Sequence, residues 1–301
     1  MTTTINRDAL EQKALVSLIF GAVIIALAPI FVRLSELDPI ATAFYRMALA
    51  LPFFIFWGAI SQRWGQKVAW RHAFLPKKRL TWLAGFCFAG DLALWHWSIH
   101  FTSVANATLM ANLAPIFVTL FAFVVFRHRF KLSFLLGIAA ALIGAVLLIQ
   151  GGLSFGTGSL LGDGLGIATA MFYAGYILAV SELRKEESTF SVMLSTTWVS
   201  TLFLLPLMLA TESNVLPTSS NAWGVLVLLA LLPQCLGQGL IAYGMAHLPA
   251  AYSSISLLVQ PVAAAILAWS LLNEGMGPVQ VLGAIVVLAA IAVCHRSRRL
   301  S

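Results

Sequence analysis

Asp91 stands near the middle of an apolar run of about twenty residues, and it is the only one of the eleven acids placed so deep. An ionisable group at that depth costs at least ~3 kcal/mol on insertion scales, so it faces water, a partner charge or a bound solute rather than lipid. The chemistry open to it is contact with an ammonium group or carriage of a proton, with a plain hydrogen bond to a neighbouring helix as the structural alternative. Arg46 is the matching base, about 10 Å into another apolar run at ~1.5 Å per residue. It can snorkel to a headgroup, bind a carboxylate or hold an acid of another helix, and a gating or structural ion pair is the role expected of it.

Polar side chains recur at helical spacing around these charges. Asp91, Trp95, Ser98 and Thr102 share one helical face, as do Thr108, Asn112, Pro115 and Thr119 in the following run. Further along, Gln234 and Gln238 are four apart, and Tyr252, Ser256 and Gln260 form another such row. Each alone serves as interhelical glue worth about 0.6 kcal/mol; together they point to a wet interior. The expected solute contacts are therefore Asp91, Trp95, Asn112, Gln234, Gln238, Tyr252 and Gln260. Pro115 and Pro261 lie in mid-run and join Arg46 as gating or structural positions, since broken helices are where transporters place sites and hinges. His96 and His100 are also four apart, but no third ligand or adjacent Glu accompanies them, so neither a metal nor a cofactor is expected.

Ten apolar segments hold these residues in place: 13 to 32, 39 to 60, 80 to 101, 104 to 126, 131 to 150, 162 to 183, 190 to 210, 222 to 245, 250 to 272 and 278 to 295. With 60% of residues hydrophobic and 10% charged, against roughly 25% charged in soluble domains, the chain is built for lipid. Five runs precede the Gly-rich stretch that starts at Gly151 and five follow it. An offset of 146 residues pairs Pro115 with Pro261, Gly137 with Gly283, Ala105 with Ala251, Leu136 with Leu282 and Leu142 with Leu288. A repeat with an odd number of crossings inserts its second copy upside down. Residues 1–150 and 151–301 are thus expected to be two inverted five-helix repeats of an all-α integral membrane protein around a central cavity. The small residues Gly137, Ala141, Gly144 and Ala145, and Gly162 with Gly166, are expected to seat helices against one another.

Basic residues fix the expected orientation. With the N-terminus inside, 16 of the 18 Lys and Arg fall in cytoplasmic segments, only Arg33 falls outside, and Arg46 lies within a span. Both termini are then cytoplasmic, and the net charge of +7 reflects membrane orientation instead of nucleic-acid binding. Ala26-Leu27-Ala28 imitates a signal-peptide cleavage site, but Pro29 directly after it argues for an uncleaved first span. Cys87, Cys235 and Cys294 lie in separate runs and suggest neither a disulfide framework nor a metal site.

At the motifs Thr102-Ser103-Val104-Ala105-Asn106-Ala107 to Leu113-Ala114-Pro115, Leu248-Pro249-Ala250-Ala251-Tyr252 to Val259-Gln260-Pro261, Asn273-Glu274, and Phe44-Tyr45-Arg46, the chain resembles the EamA family of the drug/metabolite transporter superfamily. The resemblance covers about residues 15 to 295. It implies ten helices, a central cavity and export of small metabolites across a bacterial inner membrane. One departure is visible: the acid that usually follows the family's fourth span is matched by Glu274 in the second copy, whereas the first copy has Arg127-His128-Arg129.

Within that family the chain looks like the exporters of aromatic and other amino acids, because Tyr45, Trp95, Tyr252 and the polar rows suit an amphipathic zwitterion. Alternating access by facilitated diffusion is expected, since only one mid-membrane acid is present. The rivals are export of drugs or other metabolites by proton exchange, a channel, and an intramembrane enzyme. No Gly-x-Ser-x-Gly, His-Glu-x-x-His or phosphate-loop pattern supports the last. The expected partners are a small-molecule substrate and the lipid bilayer, with the protein a monomer or weak homodimer and no nucleic acid involved.

Overall fold

The computed structural model describes residues 2–64, 70–102, 104–149, 160–272 and 277–299. The described residues form helices joined by short loops, with no strand among them, as lipid demands of a chain whose backbone groups must be satisfied within the spanning segment. Each expected apolar run is one helix or one broken helix: α1 (Thr2–Ile25 with Ala28–Leu34), α2 (Pro39–Arg63), α3 (Arg79–Phe101), α4 (Val104–Ala111 with Ala114–Phe126) and α5 (Leu132–Ile149). The second five are α6 (Leu160–Leu183), α7 (Thr189–Thr211), α8 (Ser220–Leu229, a π-helical turn Ala230–Gly237, then Gln238–Met245), α9 (Ala250–Ser256 with Val259–Leu272) and α10 (Pro278–Arg299). A short helix, Trp70–Phe74, lies between α2 and α3. Eight of the ten are long and apolar enough to cross a bilayer by composition; α5 is a shorter apolar helix, and α3, which carries Asp91, His96 and His100, is the less apolar one. Ser103, Lys67, Asn273, Glu274 and the Gly-rich stretch 151–159 lie outside the described residues.

Helix packing repeats itself when the two sets of five are exchanged. α3 packs on α6 as α8 packs on α1, α3 on α7 as α8 on α2, and α4 on α6 as α9 on α1. The pairs α2 with α7, α5 with α10 and α4 with α9 map onto themselves. This is the contact pattern of a two-repeat bundle with a pseudo-twofold axis. An even number of crossings puts both termini at one end of the bundle, here the terminal end, and leaves a far end opposite.

Three helices break in mid-span, each just before a proline. α1 turns at Ala26 and Leu27 before Pro29, α4 at Asn112 and Leu113 before Pro115, and α9 at Leu257 and Leu258 before Pro261. At each break the backbone switches to bonds three residues apart, such as Leu27 N to Ile24 O, Leu113 N to Met110 O and Leu258 N to Ile255 O, all at 3.1 Å. The prolines therefore sit in the first turn of a new helical segment, where the missing N–H costs no ladder bond. In α8 the same need is met differently: Pro233 lies inside a π turn, which widens the helix at Gln234.

Small residues bring the helices together as their spacing suggested. A Cβ on Gly283 of α10 would stand 2.5 Å from Leu148 N and 2.6 Å from Gly144 O of α5, so the two backbones touch. A Cβ on Gly162 would stand 2.8 Å from the backbone carbon of Phe101. At the far end, two carboxylates cross between loops. Glu212 accepts from Ile40 N and Ala41 N, both at 2.6 Å, and so caps the start of α2. Asp38 accepts from Asn214 N at 2.9 Å.

Candidate functional site

A cavity of about 140 Å³ lies in the middle of the bundle, walled by α1, α2, α3, α4, α6, α8 and α9. At roughly 30 Å³ per water it holds several waters or one small solute group. All three helix breaks meet it. Ala26 and Asn112 belong to the breaks of α1 and α4, and Gln260 lies in the first turn after that of α9. Breaking a helix exposes backbone and turns side chains inward, and lipid tolerates this only where the irregular backbone lines a protein cavity.

Of the expected contacts, Asp91, Trp95, Asn112, Gln238 and Gln260 all line this cavity, together with Arg46 and Pro261. Several of their polar atoms have no partner. Asn112 Nδ2, Gln238 Oε1 and Gln260 Nε2 are shut away from bulk solvent without a hydrogen bond among the described residues. Buried amide atoms left unpaired cost about 1–3 kcal/mol each, so they signal a place for water or ligand. Thr108, Thr169 and Tyr173 complete the polar wall, with the Tyr173 hydroxyl beside the amides of Gln238 and Gln260. Thr108 belongs to a row visible in sequence. Tyr173 was not among the expected contacts, although Thr169 and Tyr173 four apart repeat the same signature on α6.

The two charges in the wall are held apart. Arg46 is buried, its Nε donates to Gln234 Oε1 at 3.3 Å, and its guanidinium carbon lies 6.0 Å from the Phe88 ring centroid. Gln234 Nε2 in turn donates to Thr197 Oγ1 at 3.3 Å. Arg46 and Asp91 form no ion pair within 4.0 Å, although each feels the other's charge. The ion pair expected for Arg46 is thus not made with Asp91, because Gln234 and Phe88 fix the guanidinium on its own side of the cavity.

Other expected residues point elsewhere. Gln234 is fully buried behind Arg46, since the π turn of α8 directs it toward α2 and α7 instead of the cavity. Tyr252 belongs to the half of α9 before the break and packs with Phe134 and His295 at ring distances of 4.7 and 6.0 Å, outside the cavity wall. Pro115 starts the second half of α4 and also lies off the wall. Ser98 donates to Gly162 O at 2.8 Å and Thr102 to Asp163 at 2.9 Å, so both join α3 to α6. Tyr45 sits between the rings of Phe44 and Trp223. His96 Nδ1 lies 2.6 Å from the Leu92 carbonyl, and among the described residues no three His, Cys, Asp or Glu side chains converge on a metal position.

A second hollow of about 480 Å³ opens toward the terminal end on α1, α4, α6, α8 and α9, lined by Glu11, His128, Lys185 and His247 among others. Burial, aided by the nearby Arg184 charge, holds His247 below the usual imidazole value. Arg184 itself donates to the carbonyls of Ala242 and Glu187, tying α8 to the loop after α6. On the helices the two share, Leu18, Val118, Ile177, Ile241 and Ile255 fall between the residues that line the cavity and those that line the hollow, each at most 1% exposed, and make up an apolar septum. On α6 it occupies the single turn between Tyr173 and Leu178, about 6 Å at ~1.5 Å per residue. The Tyr176 ring stacks at 4.4 Å on Phe88, which lines the cavity.

Comparison with known proteins agrees with this architecture. Residues 12–150 and 160–295 each match the EamA-like transporter family. A probable terminal-alkyne amino-acid exporter of Streptantibioticus cattleyicolor is 28% identical over 226 residues, 73% of this chain and 75% of that protein. The pseudopaline exporter CntI of Pseudomonas aeruginosa is 22% identical over 208 residues, covering 69% and 72% of the two chains. An uncharacterized transporter of Archaeoglobus fulgidus is 23% identical over 87% of this chain and 90% of its own. One solved crystal structure superposes with a TM-score of 0.80 at 18% identity, covering 98% of this chain and 99% of that one, which establishes a shared fold. With the family matched over nearly the whole length, in two copies, the chain belongs to the EamA-like transporter family.

Proposed function

We propose that the protein exports small metabolites, amino acids including aromatic ones foremost, from the cytoplasm across a bacterial inner membrane by alternating access. The observation that carries this reading is the pair of hollows that share α1, α4, α6, α8 and α9, approach within about one turn on α6, and have buried apolar residues between them. A continuous pore would favour a channel; a site closed on one side by a thin septum favours a carrier that opens each side in turn. The curated names of relatives in Streptantibioticus cattleyicolor and Pseudomonas aeruginosa, exporters of an amino acid and of pseudopaline, support a small polar cargo.

In this reading residues 1–150 and 151–301 are the repeat units, and the breaks in α1, α4 and α9 absorb the rocking motion. The terminal end is cytoplasmic, supported by the Lys and Arg that collect there. Trp95 and Phe88 take the apolar part of the cargo, and Asp91 its ammonium group. Asp91 is the one mid-span acid, so the carrier works by facilitated diffusion, and the chain functions as a monomer or weak homodimer.

The test is uptake of a panel of labelled amino acids into proteoliposomes with and without a pH gradient. Saturable uptake that is indifferent to the gradient is expected. Uptake that concentrates substrate only with a gradient, and loses that response in Asp91→Asn, overturns facilitated diffusion; non-saturating flux overturns the carrier.

A further inference from the structure

We propose that Arg46 and Asp91 are the two poles of a zwitterion clamp, so that cargo is selected for carrying a carboxylate and an ammonium on the same carbon. The proposal rests on the exporter reading and names the chemical class that the central cavity takes.

Two opposite charges in a low-dielectric interior attract strongly. Left free, they would close on each other. Here they share one cavity wall yet make no direct pair within 4.0 Å. Gln234 holds Nε of Arg46, Thr197 holds Gln234, and the Phe88 face lies under the guanidinium. This tether uses only the inner nitrogen. Among the described residues the two terminal nitrogens of Arg46 have no hydrogen-bond partner, and neither has the Asp91 carboxylate. A guanidinium restrained at Nε keeps its outer edge for a planar, two-oxygen acceptor, the geometry of a carboxylate.

The remaining cavity polarity fits the same cargo. Asn112 Nδ2 and Gln260 Nε2 are unsatisfied donors suited to carboxylate oxygens, and Gln238 Oε1 is an unsatisfied acceptor suited to an ammonium. A cargo with only an amine leaves Arg46 unpaired, and one with only a carboxylate leaves Asp91 unpaired. Leaving a buried charge without its partner is strongly unfavourable. The clamp therefore rejects both classes, while Trp95, Phe88 and Leu92 leave the side chain loosely specified. Arg46 acts here as a binding residue, not as the gate or structural pair that its sequence position suggests.

The experiment measures how three compounds compete with labelled phenylalanine for uptake by the full chain in proteoliposomes: phenylalanine, phenylalaninamide and 3-phenylpropionate. Wild type is expected to prefer phenylalanine over both analogues by at least about tenfold, the factor equivalent to about 1.4 kcal/mol. In Arg46→Gln the preference over the amide collapses to within about threefold while that over phenylpropionate persists; in Asp91→Asn the pattern reverses. Equal competition by the amide in wild type overturns the clamp, as does an Arg46→Gln variant that weakens all three compounds alike. If the variants do not fold, the wild-type series decides alone. Uptake of no labelled amino acid overturns the exporter reading itself, an outcome distinct from uptake without charge selection.

Discussion

Gln234 Oε1 accepts a hydrogen bond from Arg46 Nε at 3.3 Å although the two residues stand 188 positions apart in the chain. The bond joins α2 of the first half to the π turn of α8 in the second, and Thr197 extends it to α7. Gln234→Leu removes the acceptor and leaves a buried Arg46 donor unpaired, at a cost of about 1–3 kcal/mol. The expected result is a thermal midpoint lowered by a few degrees, together with weaker substrate competition as Arg46 swings toward Asp91. Gln234→Glu is expected to do the reverse to folding and worse to transport, because its carboxylate occupies Arg46. Scanning calorimetry or a fluorescence melt on the detergent-solubilised protein, paired with uptake, reads both effects; unchanged uptake in Gln234→Glu would show that Arg46 does not touch the cargo.

Gly283 and Gly224 make a contrasting pair. A Cβ at Gly283 meets backbone atoms of α5 at 2.5 and 2.6 Å, which no rotamer change relieves, whereas one at Gly224 meets nothing within 4 Å. Gly283→Ala is expected to push α5 and α10 apart at about 1–3 kcal/mol, and Gly283→Leu to abolish folded yield. Gly224→Ala, lying in the first part of α8, is expected to stabilise by about 0.5–1 kcal/mol through helix propensity. Melting midpoints moving in opposite directions are the check.

Much of this architecture is legible in the chain because lipid leaves few options. Ten apolar runs became ten helices, and Pro115 and Pro261 marked two of the three breaks, whereas the break before Pro29 was not expected. Asp91, Asn112, Gln238 and Gln260 stood out because a polar side chain in an apolar run needs a reason. The same signal does not say which way a residue points. Gln234 is turned aside by a π turn that Pro233 alone does not reveal, and Tyr252 lies on the other side of the α9 break from Gln260. Tyr173 carries a weaker mark, because its row with Thr169 lies among the glycines and other small residues of α6. The septum could not be read at all: Leu18, Ile177 and Ile255 are the same residue types that face lipid at Leu120 and Ile143.

Glu212 carries a pH dependence at the far end. Burial, the larger effect, outweighs its two backbone hydrogen bonds and raises its carboxyl above the usual 4.5. An acid with a raised folded pKa binds more protons folded than unfolded between those two values, so its contribution to stability falls as pH rises through that window. Glu212→Gln keeps the shape and removes the titration. The expected difference between wild type and Glu212→Gln melting midpoints therefore shifts against wild type as pH climbs from about 4.5 to above the raised value. A flat difference across that range would mean that the loop contact, and not the charge, governs the site. Glu212→Ala additionally leaves Ile40 N and Ala41 N uncapped and is expected to cost about 0.5–2 kcal/mol.

Single cysteines place the septum directly in the transport cycle. In a background freed of Cys87, Cys235 and Cys294, Thr108→Cys reports on the cavity, His247→Cys on the terminal-end hollow and Ile177→Cys on the septum between them. A membrane-impermeant thiol reagent is expected to modify His247→Cys only from the side of the termini and Thr108→Cys only from the other. Ile177→Cys, packed at 0% exposure, is expected to stay inert in this state and to become reactive from the terminal side while substrate is cycling, as the septum opens. Because a carrier never opens both faces together, trapping Thr108→Cys accessible from the far side must protect Ile177→Cys from the other. Simultaneous labelling from both sides would make the bundle a pore, and the single turn of α6 between Tyr173 and Leu178 would then separate nothing.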